Sequence, residues 1–285
     1  ALNEARRLAP LLIGRVQVLK KLKSWIRETE RGTIGSRVGW FSGAPGSGKS
    51  LLMARLAAEL ANGKPDRHGL YYHRFQRGDQ QNSRRAFLQQ LQQALLNWVP
   101  LIGVAPPPNR SEMSGTALEA DVLERLSQIA DLPLSAGATP RTFRVLIDGL
   151  DEVIDAEPSL PALIHRLAVA GTVFLVAGQS VPGLFSAFAT PESAHPLPQG
   201  LPRLADSDVR AMLLERTQQF RSTALIRRDA YDRDGNYVGN AFIDRVVRHA
   251  AGLPLYVQYV VEDLVAGRIS DNDEAKLRSG LDAYY

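Results

Sequence analysis

Apolar positions along the chain follow two rhythms that alternate with each other. Val16, Leu19, Leu22, Trp25 and Ile26 recur at helical spacing and predict an amphipathic helix that stops near Gly32. The short, β-prone SRVGWFSG follows, and a Gly-rich turn then leads into LLMARLAAELANG, a run of strong helix formers closed by glycine. LYYHRF predicts a second strand, and NSRRAFLQQLQQALLNWV a long helix capped by Asn82 or Ser83. Three successive prolines make VPLIGVAPPPNRSEMSG an exposed connector, since they suit neither a helix nor a central strand. A helix over TALEADVLERLSQIA precedes TFRVLIDGLDEV, whose apolar run lacks alternation and therefore suits a central parallel strand buried on both faces. PSLPALIHRLAVA reads as a helix and TVFLVAGQ as another buried strand. Strands alternating with helices predict a parallel α/β sheet with right-handed crossovers.

The texture changes after Leu204. ADSDVRAMLLERTQQF, NAFIDRVVRHAAG, LPLYVQYVVEDLVAG and DNDEAKLRSGLDAYY are all helix-patterned, and no convincing strand remains. The expected organisation is an N-terminal helix and linker over 1–34, an α/β domain over 35–204 and a small helical domain over 205–285.

Composition narrows the class. With 285 residues, 45% hydrophobic and 22% charged, the chain is globular, and its 23 Gly and 17 Pro follow no period, which excludes fibrous and solenoid architectures. The absence of Cys excludes disulfides, thiolate zinc sites and a cysteine nucleophile, and it fits a reducing, cytoplasmic setting. LAPLLIG near the start is too short and too poorly bounded for a signal peptide. VLI, TVFLVA and LPLYVQYVV fall far below the roughly 18 residues that a membrane helix needs, so a soluble protein without a membrane partner is expected. The formal charge of +4 is uneven: residues 1–115 carry 18 Lys+Arg against 7 Asp+Glu, and 116–285 carry 16 against 23. The front of the chain therefore offers positive charge to an anion, whether nucleic acid, membrane or a phosphorylated ligand.

The decisive chemistry is Gly43-Ala44-Pro45-Gly46-Ser47-Gly48-Lys49-Ser50, which matches G-x-x-x-x-G-K-[ST] between a predicted strand and a predicted helix. Its glycines let backbone N–H groups turn inward around phosphate oxygens, and the following helix adds its positive dipole end. Lys49 would reach the β- and γ-phosphates and Ser50 would ligate Mg²⁺, with Leu51 completing the nucleotide-binding stretch. Such a loop needs an acid at the end of a neighbouring strand to hold the magnesium shell, and FRVLIDGLDEV supplies Asp148 there. Asp151 and Glu152 follow within one turn and are candidates for the base that positions and activates water.

With these residues in place the chain resembles the NACHT branch of the STAND signalling ATPases. The pairing of GAPGSGKS with LIDGLDE carries the resemblance, and IGRVQVLKKLKSWI resembles that family's GR-containing first helix. HRFQRGDQQNSRRAFLQQLQQAL resembles the second strand and helix of bacterial members, AGLPLYVQYVVEDL contains the GLPL motif, and GLDAYY resembles the end of the helical domain. The resemblance implies an AAA+-like strand order and an ATP/ADP switch that self-associates when activated, with sensor and effector domains outside this chain. It also implies that Gly14 and Arg15 lie near the adenine or its ribose and that Pro254 contacts the base, although capping rules alone explain GLPL. On this reading the chain is the nucleotide-switch core of a longer signalling protein.

One departure stands out. The family usually ends its fourth strand with an arginine that senses the γ-phosphate, and TVFLVAGQSVP puts Gln179 there. A neutral amide does not stabilise transition-state charge as a guanidinium does, so slow or partner-dependent hydrolysis is expected. An AAA+ motor on DNA or protein and a non-hydrolysing scaffold stay as alternatives. Other signals are weaker. GQSVP lacks the closing glycine of a nucleophile elbow, DRDGN places alanines where a calcium loop needs acids, and the five histidines show no metal-ligand spacing. No array of aromatics interleaved with basic residues marks a nucleic-acid groove, so nucleic acid is not expected as a partner.

Overall fold

The computed structural model describes residues 2–63, 67–78, 82–99, 115–129, 131, 141–217, 232, 234, 237–270 and 277. The proline-rich connector over 100–114, most of DRDGN, and all of the expected last helix with GLDAYY except Leu277 lie outside the described residues. The chain divides into two compact units. One comprises Ala1–Leu12, Val16–Ala44 and Lys49–Leu201; the other comprises Ile13–Arg15, Pro45–Gly48 and Pro202–Tyr285.

The first unit is built on a parallel sheet of five strands: β1 (Val38–Ser42), β2 (His68–Arg74), β3 (Thr142–Asp148), β4 (Thr172–Gly178) and β5 (Ser193–Ala194), in the spatial order β2-β3-β4-β1-β5. All seven residues of β3 and all seven of β4 are buried, because helices cover both faces of these central strands. Period-two geometry then sorts an unbroken apolar run into two cores. On one face Trp40, Val145, Ile147, Phe174 and Val176 pack with α4 (Arg84–Trp98), α5 (Gly115–Gln128), α6 (Leu160–Leu167) and α7 (Pro182–Phe188). On the other face Phe41, Tyr72, Leu146, Leu175 and Ala177 pack with α1 (Leu2–Leu8), α2 (Val16–Glu30) and α3 (Lys49–Ala61). Three layers result, with the phosphate-loop helix α3 on the second face.

The expected elements of this unit occupy their sequence positions, and Ser83 is the residue that caps α4, accepting from the Ala86 N–H at 3.1 Å. Among the described residues α1, α7 and the two-residue β5 were not expected, and neither were the 3₁₀ segments Ala9–Leu11 and Leu150–Glu152. Within the second unit α8 (Asp206–Thr217), α9 (Ala241–Ala250) and α10 (Pro254–Val265) enclose a core that includes Val209, Met212, Phe242, Ile243, Val246, Tyr256 and Val257. Asn240 caps α9 through the Ile243 N–H, and the helix ends on Ala251 and Gly252 in left-handed conformations. Among the described residues no helix is long and apolar enough to cross a membrane.

Candidate functional site

In the α/β unit the phosphate loop leaves a firmly held strand end. The Ser42 carbonyl accepts the Leu201 N–H at 2.6 Å, and Gly43 extends the β1–β4 ladder by donating to Gly178 at 3.2 Å. Lys49 and Ser50 open α3, whose unpaired N-terminal amides suit an anion. The Lys49 Nζ donates to the Gly43 and Ala44 carbonyls at 2.8 and 3.1 Å, so its charge is folded back over the start of the loop. Burial lowers the Lys49 pKa, while Asp151, Asp148 and Glu152 oppose the fall.

Asp148 ends β3 and is 1% exposed. Burial pushes its carboxyl up to about 6; the Ser50 hydroxyl, Arg74 and Lys49 restrain the rise and Asp151 adds to it. Neither carboxylate oxygen completes a hydrogen bond. A buried acid with unused oxygens, near a hydroxyl at the head of the phosphate-loop helix, is a donor set that fits a hard divalent cation such as Mg²⁺.

The acids beyond Asp148 take different surroundings. Gly149 adopts φ +73° and lets the chain turn into a 3₁₀ segment, Leu150–Glu152. The Asp151 Oδ1 accepts the Gln179 backbone N–H at 2.9 Å, which ties this carboxylate to the end of β4. Glu152 faces outward, its Oε2 3.5 Å from the exposed Arg77. Of the two, Asp151 acts more strongly on Lys49 and also acts on Asp148. Gly149 itself cannot be replaced freely, because a Cβ there would stand 2.5 Å from the Phe75 carbonyl oxygen. Gly149→Ala is expected to cost about 2–4 kcal/mol in urea unfolding, from backbone strain together with the clash.

The loop apex, Pro45–Gly48, belongs with the helical unit. There the Leu255 N–H donates to the Gly46 carbonyl at 3.3 Å, and Pro254 Cγ lies 3.4 Å from where a Cβ on Gly48 would stand. Arg15 is buried, and its guanidinium donates to the carbonyls of Pro202 and, at 3.1 Å, of Ser47. Burial lowers its pKa and Asp208 opposes the fall.

The family described as Nephrocystin 3, N-terminal matches residues 18–175, more than half of the chain, from α2 through most of β4. This span contains the phosphate loop and the acids at the end of β3. The chain belongs to the Nephrocystin 3 N-terminal family. No curated protein matches it. Among solved structures, Drosophila ORC bound to DNA is similar at 14% identity and a TM-score of 0.55, over 95% of this chain and 67% of that one. C. elegans PCH-2 has 14% identity and a TM-score of 0.49, over 96% and 70%. The Aeropyrum pernix ORC1 protein in complex with DNA has 16% identity and a TM-score of 0.49, over 91% and 62%. At such identities the likeness concerns the fold, and the fold is the parallel α/β arrangement of AAA+ P-loop NTPases.

In this Nephrocystin 3 N-terminal family member one cation beside the site escaped the sequence reading. Arg74 ends β2 in register with Asp148, its Nε 3.6 Å from Asp148 Oδ2 and its NH1 2.9 Å from Glu4 Oε1 of α1. Burial works against the Arg74 cation, yet Asp148 and Glu4 together raise its pKa. The available signal was modest: LYYHRF and LIDG each close an apolar strand with a charge, and neighbouring parallel strands bring such ends together.

Proposed function

We propose that this Nephrocystin 3 N-terminal family member is an ATP/ADP-binding molecular switch, of the kind found in the NACHT branch of STAND ATPases, with slow or partner-dependent hydrolysis. The observation that carries the reading is the convergence, within the α/β unit, of sequence-distant groups at the carboxyl ends of parallel strands: Lys49 and Ser50, where the phosphate loop after β1 enters α3, and the buried Asp148 at the end of β3. Backbone N–H groups of Gly43–Ser50 and the Lys49 ammonium would hold the phosphates, and Ser50 with Asp148 would hold Mg²⁺. When bound, the metal supplies charge neutralisation at the phosphate oxygens. Asp151, whose Oδ1 accepts the Gln179 N–H, would accept a proton from water. Gln179 adds no cation, which supports weak turnover by the isolated chain.

Mass spectrometry of nucleotide released from purified, unsupplemented protein is expected to find ADP. Single-turnover assays, run alone, with DNA and over a concentration series, are expected to show slow cleavage that rises with self-association. Rapid cleavage by dilute protein would overturn the switch reading, and nucleotide retained uncleaved under all conditions would favour a scaffold. The DNA arm tests an AAA+ motor, a reading supported by the Drosophila neighbour solved on DNA and by the basic balance of residues 1–115. Steeply salt-dependent DNA binding with stimulated turnover would favour that motor. Asp151→Asn is expected to leave ATP affinity within about twofold and to lower turnover by about 100-fold; equal turnover would move the base to Glu152 or elsewhere.

A further inference from the structure

Two carbonyls at the apex of the phosphate loop are engaged by groups from outside the loop. Leu255, the second residue of α10, donates its N–H to the Gly46 carbonyl, and Arg15 donates to the Ser47 carbonyl. These residues all belong to the helical unit, so the arrangement is internal to it. In a trans peptide the C=O and the next residue's N–H point in opposite directions. A loop that turns its N–H groups toward phosphate must therefore turn the preceding carbonyls away. Holding Gly46 O from outside aims the Ser47 N–H inward, and holding Ser47 O aims the Gly48 N–H inward.

Arg15 is built for this position. It adopts φ +65°, a region unfavourable for any residue but glycine, which persists where surrounding contacts over-determine it. The preceding Gly14 has φ +69°, and a Cβ there would stand 2.6 Å from the Asp208 carboxyl group. The guanidinium fork divides its donors between the Ser47 and Pro202 carbonyls, a task that its planar geometry allows and a single ammonium does poorly.

We propose that Arg15 is a positioning residue for phosphate recognition: it acts through the Ser47 carbonyl on the phosphate loop and makes no contact with the base. This rests on the nucleotide-binding reading and assigns Arg15 a role other than contact with adenine or ribose. Loss of Arg15 then weakens every ligand that fills the loop with phosphates, with or without a base.

Binding of Mg-ATP and of inorganic tripolyphosphate with Mg²⁺ to the wild type, Arg15→Gly and Arg15→Lys tests this by calorimetry, with the melting curve of each unliganded variant as the folding control. Glycine accepts the left-handed backbone, so Arg15→Gly removes the guanidinium without adding strain. The expected result is a loss of roughly tenfold for ATP and for tripolyphosphate alike, matching the loss of one charge-assisted hydrogen bond, with Arg15→Lys intermediate. Should Arg15→Gly fail to fold, Arg15→Lys carries the same comparison. A drop for ATP with tripolyphosphate binding intact would overturn the proposal in favour of base contact, and unchanged binding of both would also overturn it. If wild type binds neither ligand, the nucleotide reading fails as well, an outcome distinct from both.

Discussion

Lys49→Ala is expected to abolish the rise in Tm that Mg-ATP or ADP produces in the wild type. A ligand that binds only the folded state stabilises it by RT ln(1 + [L]/Kd), about 2.7 kcal/mol at a hundred times Kd. For a domain of this size that corresponds to a shift of roughly 5–10 °C. The Lys49 ammonium already lies over the start of the loop, bonded to the Gly43 and Ala44 carbonyls, and the charges of Asp151, Asp148 and Glu152 act on it. Without it the phosphates lose the loop's own cation beside the carboxylates of Asp148 and Asp151. An affinity loss of about 100-fold would reduce the shift to about 1 °C at the same ligand concentration. The unliganded variant should melt close to wild type, since the lost bonds go to carbonyls at the loop surface. Differential scanning fluorimetry at several nucleotide concentrations checks this, and an unchanged shift would remove the phosphate-loop assignment.

Asp148→Asn should act in opposite directions on the free and liganded protein. Burial raises the carboxyl pKa to about 6 from an ordinary 3.8, so the folded state binds the proton more tightly than the unfolded chain. Linkage then makes the wild-type contribution of this group unfavourable as pH rises between about 4 and 6, and constant above that window. At pH 7.5 the neutral amide avoids this cost, and the unliganded variant is expected to be more stable by about 1–3 kcal/mol, using about 1.4 kcal/mol per pKa unit. Arg74 keeps Glu4 as its partner, which limits the penalty of removing the charge beside it. The same substitution removes an anionic candidate metal ligand, so nucleotide affinity should lose its Mg²⁺ dependence. Melting curves from pH 4 to 8, with titrations in magnesium and in EDTA, separate the two effects. A variant that is no more stable at pH 7.5 and still responds to Mg²⁺ would sink both parts.

Much of the architecture was legible because burial leaves different marks on different elements. TFRVLID and TVFLVAG are covered on both faces, so each is an apolar run closed by a turn, the pattern of a central parallel strand. The helices α2, α4 and α9 each cover one core and show the 3.6-residue stripe. The unexpected elements carry too little of either signal. Of the seven residues in α1 only Ala5 is buried, β5 pairs through two residues, and α7 spans two turns opened by proline.

For the site, sequence alone determined the residue types that phosphate and magnesium chemistry require. Gly43–Ser50 and the acids at Asp148 and Asp151 are recognisable by local spacing, because a loop joining a strand to a helix is a local structure. Tertiary structure decided what each charge meets. Register on neighbouring strands put Arg74 beside Asp148, the end of β4 gave the Asp151 carboxylate its N–H, and packing within the helical unit turned Arg15 onto the Ser47 carbonyl. These contacts join residues 28 to 74 positions apart or sit within a fold built from distant segments, and a side chain's partner at that range is chosen by strand order and packing, which no local pattern encodes.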